Sequence, residues 1–373
     1  MPTHTVLLTT KQHFKILDGL RGAAAVAVVI FHFMEFAVPD YTNNILAHSY
    51  LAVDFFFCLS GFVIAYAYDN KLASMGVSEF IKLRLIRLHP FVIIGSILGL
   101  VTFLFDPYSN LYAVYGCLKT FLMFMASCLL IPFPVVHERY FNIFHLNPPT
   151  WSLFWEYIAN VFYALILCKV RNSLLVIFTL VAAFVLCYES YSTGNLAVGW
   201  GGENFFGGGI RIFYSFLAGM VVYRSGWIIK SQAGFMTMSV LLAGVFFIPY
   251  ADATNWIIDP IVVLFYFPFL VALGAGAKLT PSHSNSCKFL GDISYPLYMI
   301  HYPFLWLFLS YVEEQKPTST EMGIIITIGL ISLIVFAYLV MRFLEEPIRK
   351  YLIHGIVKAR QKRSSTTPAL LTD

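Results

Sequence analysis

The stretch that decides the fold is Ile16-Leu-Asp-Gly-Leu-Arg21-Gly-Ala-Ala-Ala-Val-Ala-Val-Val-Ile-Phe-His32-Phe-Met34. It is almost wholly apolar, yet it carries an arginine and a histidine eleven positions apart. Eleven helical steps of about 100° return to within about 20° of the start and rise ~16 Å, so Arg21 and His32 face the same way. Ionisable groups inside a bilayer normally face protein or a wet cavity, which makes this pair a candidate functional site. The alternative is that Arg21 snorkels to the headgroups and His32 is a satisfied core residue.

The composition of the chain is that of a polytopic membrane protein. Hydrophobic residues make up 59% of the 373 positions and charged residues 12%, whereas a soluble domain carries about 25% charge. The net charge of +4 is small, and its distribution does not suggest nucleic-acid binding. The six cysteines are scattered without the spacing of a metal site or a disulfide framework. A polar start leads into a full-length span, which predicts an uncleaved first helix.

Charge placement predicts how the chain crosses the membrane. If the N-terminus is cytoplasmic and the ambiguous stretch 116–132 does not cross, the lysines and arginines gather inside and the acidic residues outside. If 116–132 crosses, every later loop inverts. We therefore predict an all-α bundle of about ten transmembrane helices, with both termini cytoplasmic and 116–132 re-entrant or on the surface. The predicted spans are 16–38, 50–69, 88–105, 150–168, 173–188, 210–223, 234–250, 256–277, 289–311 and 321–342.

The spans form a single membrane domain over residues 14–350, with cytoplasmic tails at 1–13 and 351–373. No large soluble domain fits between the helices. The longest outer connections are 106–149 and 189–209, and the second contains the glycine-rich run 199–209. We interpret that run as a flexible loop, with a gating or substrate loop as the alternative.

Two further arginines lie at the cytoplasmic mouth of the third span, in Lys82-Leu-Arg84-Leu-Ile-Arg87-Leu-His-Pro90. Arg84 and Arg87 are side by side at i, i+3 on a helix, and guanidinium groups bind phosphate bidentately. Together with Arg21 they would converge on one anionic ligand from the cytoplasm. The alternative is ordinary positive-inside anchoring.

A carboxylate and a second histidine also lie inside predicted spans. Glu156, in Thr150-Trp-Ser-Leu-Phe-Trp-Glu156, shares a helix face with Ser152. It is a candidate partner or general acid, or equally a structural hydrogen-bond hub. Packing does not readily explain His301, in Ser294-Tyr-Pro-Leu-Tyr-Met-Ile-His301. Ser60 lacks the setting of a nucleophile and is interpreted, with its glycine neighbour, as a close-packing pair.

Taken together, five ordered elements resemble the acyltransferase 3 family of integral membrane O-acyltransferases. They are Leu17-Asp-Gly-Leu-Arg21 with ten residues before His32, Val53-Asp-Phe-Phe-Phe-Cys-Leu-Ser-Gly-Phe62, Arg84-Leu-Ile-Arg87, Thr150-Trp-Ser-Leu-Phe-Trp-Glu156 and Gly291-Asp-Ile-Ser-Tyr-Pro-Leu-Tyr-Met-Ile-His301. Each motif is weak alone, but the ordered set is specific and covers residues 14 to 350.

The resemblance implies an enzyme that transfers an acyl group, commonly acetyl from acetyl-CoA, to a hydroxyl of a sugar or polysaccharide precursor. By the family pattern His32 and Arg21 are the essential pair, and Arg84 and Arg87 belong to the donor side. We expect His32 to act as a general base or as an acyl carrier, and Glu35 to orient its imidazole or to face the outer interface.

On this interpretation Glu156 assists catalysis by holding the acceptor on the outer side. The expected co-substrate is acetyl-CoA or another acyl-CoA, without a metal. The expected surroundings are membrane lipid and a carbohydrate or glycolipid acceptor in a bacterial inner membrane, with no nucleic acid. The competing hypothesis is a transporter or flippase for a glycan-type substrate, without CoA chemistry.

Overall fold

The computed structural model describes residues 13–355, so the predicted tails lie almost wholly outside the described residues. Within that range the chain is a bundle of helices joined by short connections, and its only β-type pairings are two isolated bridges. The predicted all-α class is confirmed. The main helices are α1 (Lys15–Ala37), α2 (Ala52–Tyr68), α3 (Val77–Leu104), α4 (Leu111–Leu129), α5 (Thr150–Leu165), α6 (Asn172–Thr193), α7 (Phe205–Arg224), α8 (Phe235–Phe246), α9 (Asn255–Gly276), α10 (Ser284–Gln315) and α11 (Ser319–Val340).

The first helix packs along α10, and the two run parallel. Arg21 bonds to Ser294 near the start of both helices, and His32 stacks against His301 farther along both. Glycines allow this close approach, because a Cβ at Gly22 would collide with the backbone of α10. The contact therefore brings two distant parts of the sequence into one polar seam inside the bundle.

The described chain begins and ends on the same side of the bundle. We call the end that holds the start of α1 the inner end. The last helix runs antiparallel to α10, since Phe304 contacts Phe336 and Phe289 contacts Tyr338. Its C-terminal half therefore returns to the inner end, as the charge distribution predicts.

The ambiguous stretch 116–132 forms most of α4, with a break in the helix at Gly116. The helix begins beside the outer end of α3. Near its other end, Ser127 lies 2.7 Å from Ser96, so α4 goes no deeper than the middle of α3. The chain then returns outward, because Arg139 bonds at 2.7 Å to Ser310 near the outer end of α10. This path agrees with the re-entrant alternative of the prediction, and most of the segment is helical.

Nine helices of the described range are long and apolar enough to cross a membrane. They include α4 but neither α8, which has 12 residues, nor α10, whose middle is rich in Tyr, Pro and His. The contacts indicate that α8 and its continuation do cross, since Phe235 packs beside Gly19 at the inner end and Tyr250 contacts Tyr41 at the outer end. With α8 and α10 counted in place of α4, the packing supports the ten crossings predicted from charge.

A buried ion pair ties α7 to α2 in the outer half of the bundle. Arg211, near the start of α7, has a side chain only 1% exposed and reaches Asp54 at 2.6 Å. Its guanidinium also donates to the carbonyl oxygens of Tyr50 and Val198, both at 2.9 Å. Every hydrogen-bonding side of the cation is used within the protein, so Arg211 belongs to the scaffold around the site.

Candidate active site

His32 lies in the outer half of α1 and is oriented by a carboxylate one turn later. Its Nδ1 lies 2.9 Å from Glu35 Oε2, a contact that the i, i+3 spacing of a helix produces directly. Tyr41, just beyond the end of α1, donates its hydroxyl to Glu35 Oε1 at 2.5 Å. Burial, and then the charge of Glu35, raise the pKa of the Tyr41 phenol far above its usual value, so it stays a donor. The result is a Tyr–Glu–His line in which Nδ1 of His32 is protonated and Nε2 carries the lone pair.

His301 is the second histidine of this centre. Its ring stacks on that of His32 with 5.5 Å between ring centroids, and it is fully buried. Nδ1 of His301 donates to the carbonyl oxygen of Leu297 at 3.1 Å, which fixes the neutral tautomer with the lone pair on Nε2. That Nε2 has no hydrogen-bond partner among the described residues. The Tyr302 ring, whose centroid lies 4.9 Å from that of His32, forms with His301 a wall beside the imidazole.

Arg21 lies about 16 Å from His32 along α1, on the inner side. Its guanidinium donates to Ser294 Oγ at 2.9 Å and to the carbonyl oxygen of Gly291 at 3.0 Å. Asp18 lies 3.2 Å from the same guanidinium, one turn earlier on α1. Arg21 therefore faces α10 within the bundle rather than snorkelling to the surface, as the paired helix face predicts.

The Arg84 and Glu156 side chains meet at 2.8 Å, and Ser60 donates to the same carboxylate oxygen at 3.0 Å. The expectation that Glu156 lies on the outer, acceptor side is therefore wrong. The cause is that α5 begins deep in the bundle, where Asn147 donates to the carbonyl oxygen of Met299 in the middle of α10 at 2.9 Å, so its second turn is already level with the inner half of α3. Ser152, one turn before Glu156 on α5, contacts the Tyr298 hydroxyl at 2.8 Å.

Arg87 differs from its neighbour in having no carboxylate partner. Its side chain is exposed and forms no ion pair within residues 13–355, whereas Arg84 is buried and paired. Arg87 still lies close enough to Arg84, Arg21 and Glu156 to interact electrostatically with each of them. The three arginines therefore lie near one another, with Asp18 beside Arg21 and Glu156 beside Arg84. Among the described residues, Arg87 is the one of the three without a carboxylate at ion-pair distance, which leaves its charge for an anionic ligand.

Polar side chains along this seam remain partly accessible although they lie inside the bundle. The exposed fraction is 26% for Arg21 and 21% for Glu156 on the inner side, and 22% for His32 and 25% for Glu35 on the outer side. Charged groups at this depth need water or ligand around them. The arrangement thus offers an anion-binding entrance at the inner end and a basic nitrogen reachable in the outer half.

Several residues of the site could not be predicted from local sequence patterns. Tyr41 and Tyr302 are two of 22 tyrosines and come next to His32 only through the fold. Ser294 belongs to the motif at residues 291–301, but its bond to Arg21 depends on the pairing of α1 with α10. Within residues 13–355, no group of three His, Cys, Asp or Glu side chains is placed to hold a metal ion.

Comparison with known proteins gives matches to acyltransferases. The model of a family described as an acyltransferase domain matches residues 14–342. A Staphylococcus aureus protein named O-acetyltransferase OatA is 25% identical over 90% of this chain and 57% of its own length. A putative O-acetyltransferase of the same species is 26% identical over 95% of this chain and 60% of its own length.

A Rhizobium radiobacter protein named protein 2 in picA locus is 34% identical over 41% of this chain and 82% of its own length. No solved structure gives a significant match. The chain thus spans about three fifths of the length of the two staphylococcal relatives. Because the family model covers nearly the whole membrane bundle, the chain belongs to the acyltransferase 3 family, a family of integral membrane O-acyltransferases.

Proposed function

We propose that the protein transfers an acetyl group from acetyl-CoA, bound at the inner end, to a hydroxyl of a sugar or polysaccharide precursor that enters from the outer end. The observation that carries the proposal is the polar seam of α1 and α10, which has arginines at its inner end and the Tyr41–Glu35–His32 line at its outer end. The relatives named O-acetyltransferases support the choice of an acetyl group and of a hydroxyl acceptor.

The donor half of the proposal rests on charge and length. The phosphates of acetyl-CoA bind Arg87, which lacks a carboxylate partner, with Arg84 and Arg21 behind it. The pantetheine arm is roughly 15–20 Å long, the same order as the ~16 Å rise from Arg21 to His32. A donor held by its phosphates at the inner end can therefore bring its thioester to the imidazole without crossing the membrane itself.

The chemical step uses the free Nε2 of His32. As the acceptor oxygen attacks the thioester carbonyl, Nε2 takes the hydroxyl proton and Glu35 stabilises the imidazolium. The C–S bond then breaks, the thiolate leaves as CoA, and the proton passes from His32 to the sulfur. The alternative order has Nε2 attack the thioester first and carry the acetyl group before the hydroxyl takes it. Both orders give one ester and one CoA for each acetyl transferred.

The proposal is tested with purified protein in nanodiscs, labelled acetyl-CoA and glycan fractions from a bacterial envelope. We expect CoA release that depends on acceptor and on His32, so that His32→Ala abolishes transfer while it leaves expression and thermal stability intact. His283→Ala is the matched control, because His283 lies at the inner end and bonds only to Thr280. Retained transfer in His32→Ala overturns the role of His32. Substrate movement without CoA release from any acyl-CoA favours a transporter instead.

A further inference from the structure

Two consecutive aromatic residues at the outer end adopt a backbone conformation that side chains rarely take. Tyr140 has φ 58° and Phe141 has φ 50°, both in the left-handed region. Such positions are strained and persist only where the surroundings impose them. The turn therefore needs both an anchor that holds it and a reason for keeping it.

Phe141 is the anchor of the turn. Its backbone N–H donates to Val136 at 3.1 Å, and its carbonyl oxygen accepts from Gly202 at 2.9 Å. Its ring stacks on His137 with 4.4 Å between centroids. Asn204 Oδ1 in turn accepts from the backbone of the glycine-rich run at 2.9 Å, so this loop is braced against the turn rather than free.

The same turn directs Tyr140 outward, with 55% of its surface exposed. The preceding residue, Arg139, is 5% exposed and fixed to α10, since its guanidinium donates to Ser310 at 2.7 Å and lies 5.3 Å from the Trp306 ring. Arg139 also lies 3.4 Å from Glu313, at the outer rim. Arg139 is therefore a rigid, charged neighbour, whereas the ring of Tyr140 is exposed.

The position of this ring relates it to His32. The Arg139 guanidinium lies 5.3 Å from the Trp306 ring. The Trp306 and Tyr302 ring centroids are 5.0 Å apart, and those of Tyr302 and His32 are 4.9 Å apart. This chain of contacts joins the turn at Tyr140 to the imidazole. In agreement with it, burial and then the charge of Glu35 raise the pKa of the Tyr140 phenol. Tyr140, the residue after Arg139, therefore lies at the outer end of this chain, on the side from which the proposed acceptor approaches.

We propose that Tyr140 is the platform on which a sugar ring of the acceptor stacks, with the exposed carboxylate of Glu313 to bind the ring hydroxyls and the buried Arg139 holding that carboxylate in place. This inference rests on the proposed function, of which it names the acceptor-binding residues. A sugar presents apolar C–H faces and polar edges, which match an exposed aromatic ring flanked by charged groups. A tyrosine that merely anchors the protein at the membrane interface needs no left-handed backbone, so the interface reading leaves the strain unexplained.

The test replaces the ring while it keeps the backbone. Tyr140→Asn is the variant of choice because asparagine tolerates left-handed φ, and Tyr140→Trp restores a stacking ring. Tyr108→Asn is the control, since Tyr108 is also an outer-end tyrosine, 40% exposed, but it packs on Tyr311. The probes are p-nitrophenyl glycosides of glucose, galactose, mannose, rhamnose and N-acetylglucosamine, together with envelope glycans, each with labelled acetyl-CoA.

We expect Tyr140→Asn to raise the KM for the sugar about tenfold, with the KM for acetyl-CoA and thermal stability unchanged, and Tyr140→Trp to restore sugar KM. An unchanged sugar KM in Tyr140→Asn, or an equal rise in Tyr108→Asn, overturns the inference and leaves the proposed function standing. If the wild-type protein acetylates neither the glycosides nor the envelope glycans, it is the proposed sugar acceptor that fails, and the inference fails with it.

Discussion

Glu35 accepts the hydrogen bond of His32 Nδ1 at 2.9 Å while its other oxygen accepts from Tyr41 at 2.5 Å. The carboxylate is thus held from both sides, so the imidazole has one orientation and one tautomer. Whereas Asp54 and Arg211 tie two helices together, Glu35 is aimed at a side chain that remains partly accessible.

Removing the charge of Glu35 is expected to slow the chemical step without affecting donor binding. Glu35→Gln can still accept from Nδ1 but no longer stabilises the imidazolium, and it lowers kcat about tenfold. Glu35→Ala also loses the orientation and lowers kcat on the order of 100-fold. Steady-state kinetics with acetyl-CoA as the varied substrate checks both. A wild-type kcat in Glu35→Gln contradicts a role for the charge, and equal losses in the two variants contradict a separate role in orientation. Tyr41→Phe removes only the hydrogen bond to Glu35 and is expected to lower kcat by less than either variant.

Arg84 and Arg87 are expected to respond differently to substitution, because of these two only Arg84 is paired with a carboxylate. Arg87→Gln raises the KM for acetyl-CoA about tenfold and leaves thermal stability unchanged. With 3′-dephospho-acetyl-CoA as donor, the same variant has a smaller effect if Arg87 binds that phosphate. Arg84→Gln leaves Glu156 without its cation and lowers the melting temperature as well. The comparison fails if Arg87→Gln destabilises the protein as much as Arg84→Gln does.

The ion pair of Arg211 with Asp54 is expected to govern stability rather than chemistry. Asp54→Asn leaves a buried cation uncompensated and destabilises the fold by about 3–5 kcal/mol. Arg211→Met in the Asp54→Leu background recovers part of this, because neither charge then remains buried. Thermal unfolding in detergent measures the series. Loss of activity without loss of stability in Asp54→Asn runs against a scaffold role.

The glycine-rich loop is expected to act on the acceptor side through Phe141. A Cβ at Gly202 would lie 2.5 Å from the Phe141 ring, whereas at Gly201 the nearest atom is 3.4 Å away. Gly202→Ala therefore displaces the turn that holds Tyr140 and raises the KM for sugar several-fold, while Gly201→Ala does not. Measuring acetyl-CoA KM in parallel separates this effect from a general disturbance. Equal behaviour of the two variants speaks against the coupling.

Helical periodicity was enough to predict the face shared by Arg21 and His32, and the i, i+3 spacing placed Glu35 within reach. The depth of Glu156 was mispredicted because it depends on where α5 begins, and that is set by the contact of Asn147 with Met299 in α10 rather than by α5 itself. The Arg211–Asp54 pair and the left-handed turn at Tyr140 arise from contacts between residues far apart in sequence, which no local pattern encodes.

The parallel contact of α1 with α10 has a consequence for how the protein is made. Arg21 meets its hydrogen-bond partners, Ser294 and Gly291, only when a helix synthesised some 270 residues later enters the membrane. Until then the first helix carries a polar face without its match, and His32 lacks the wall formed by His301 and Tyr302. On the proposed function, catalytic competence is therefore among the last properties that the growing chain acquires, and a ribosome that stops before α10 leaves an inactive fragment in the membrane.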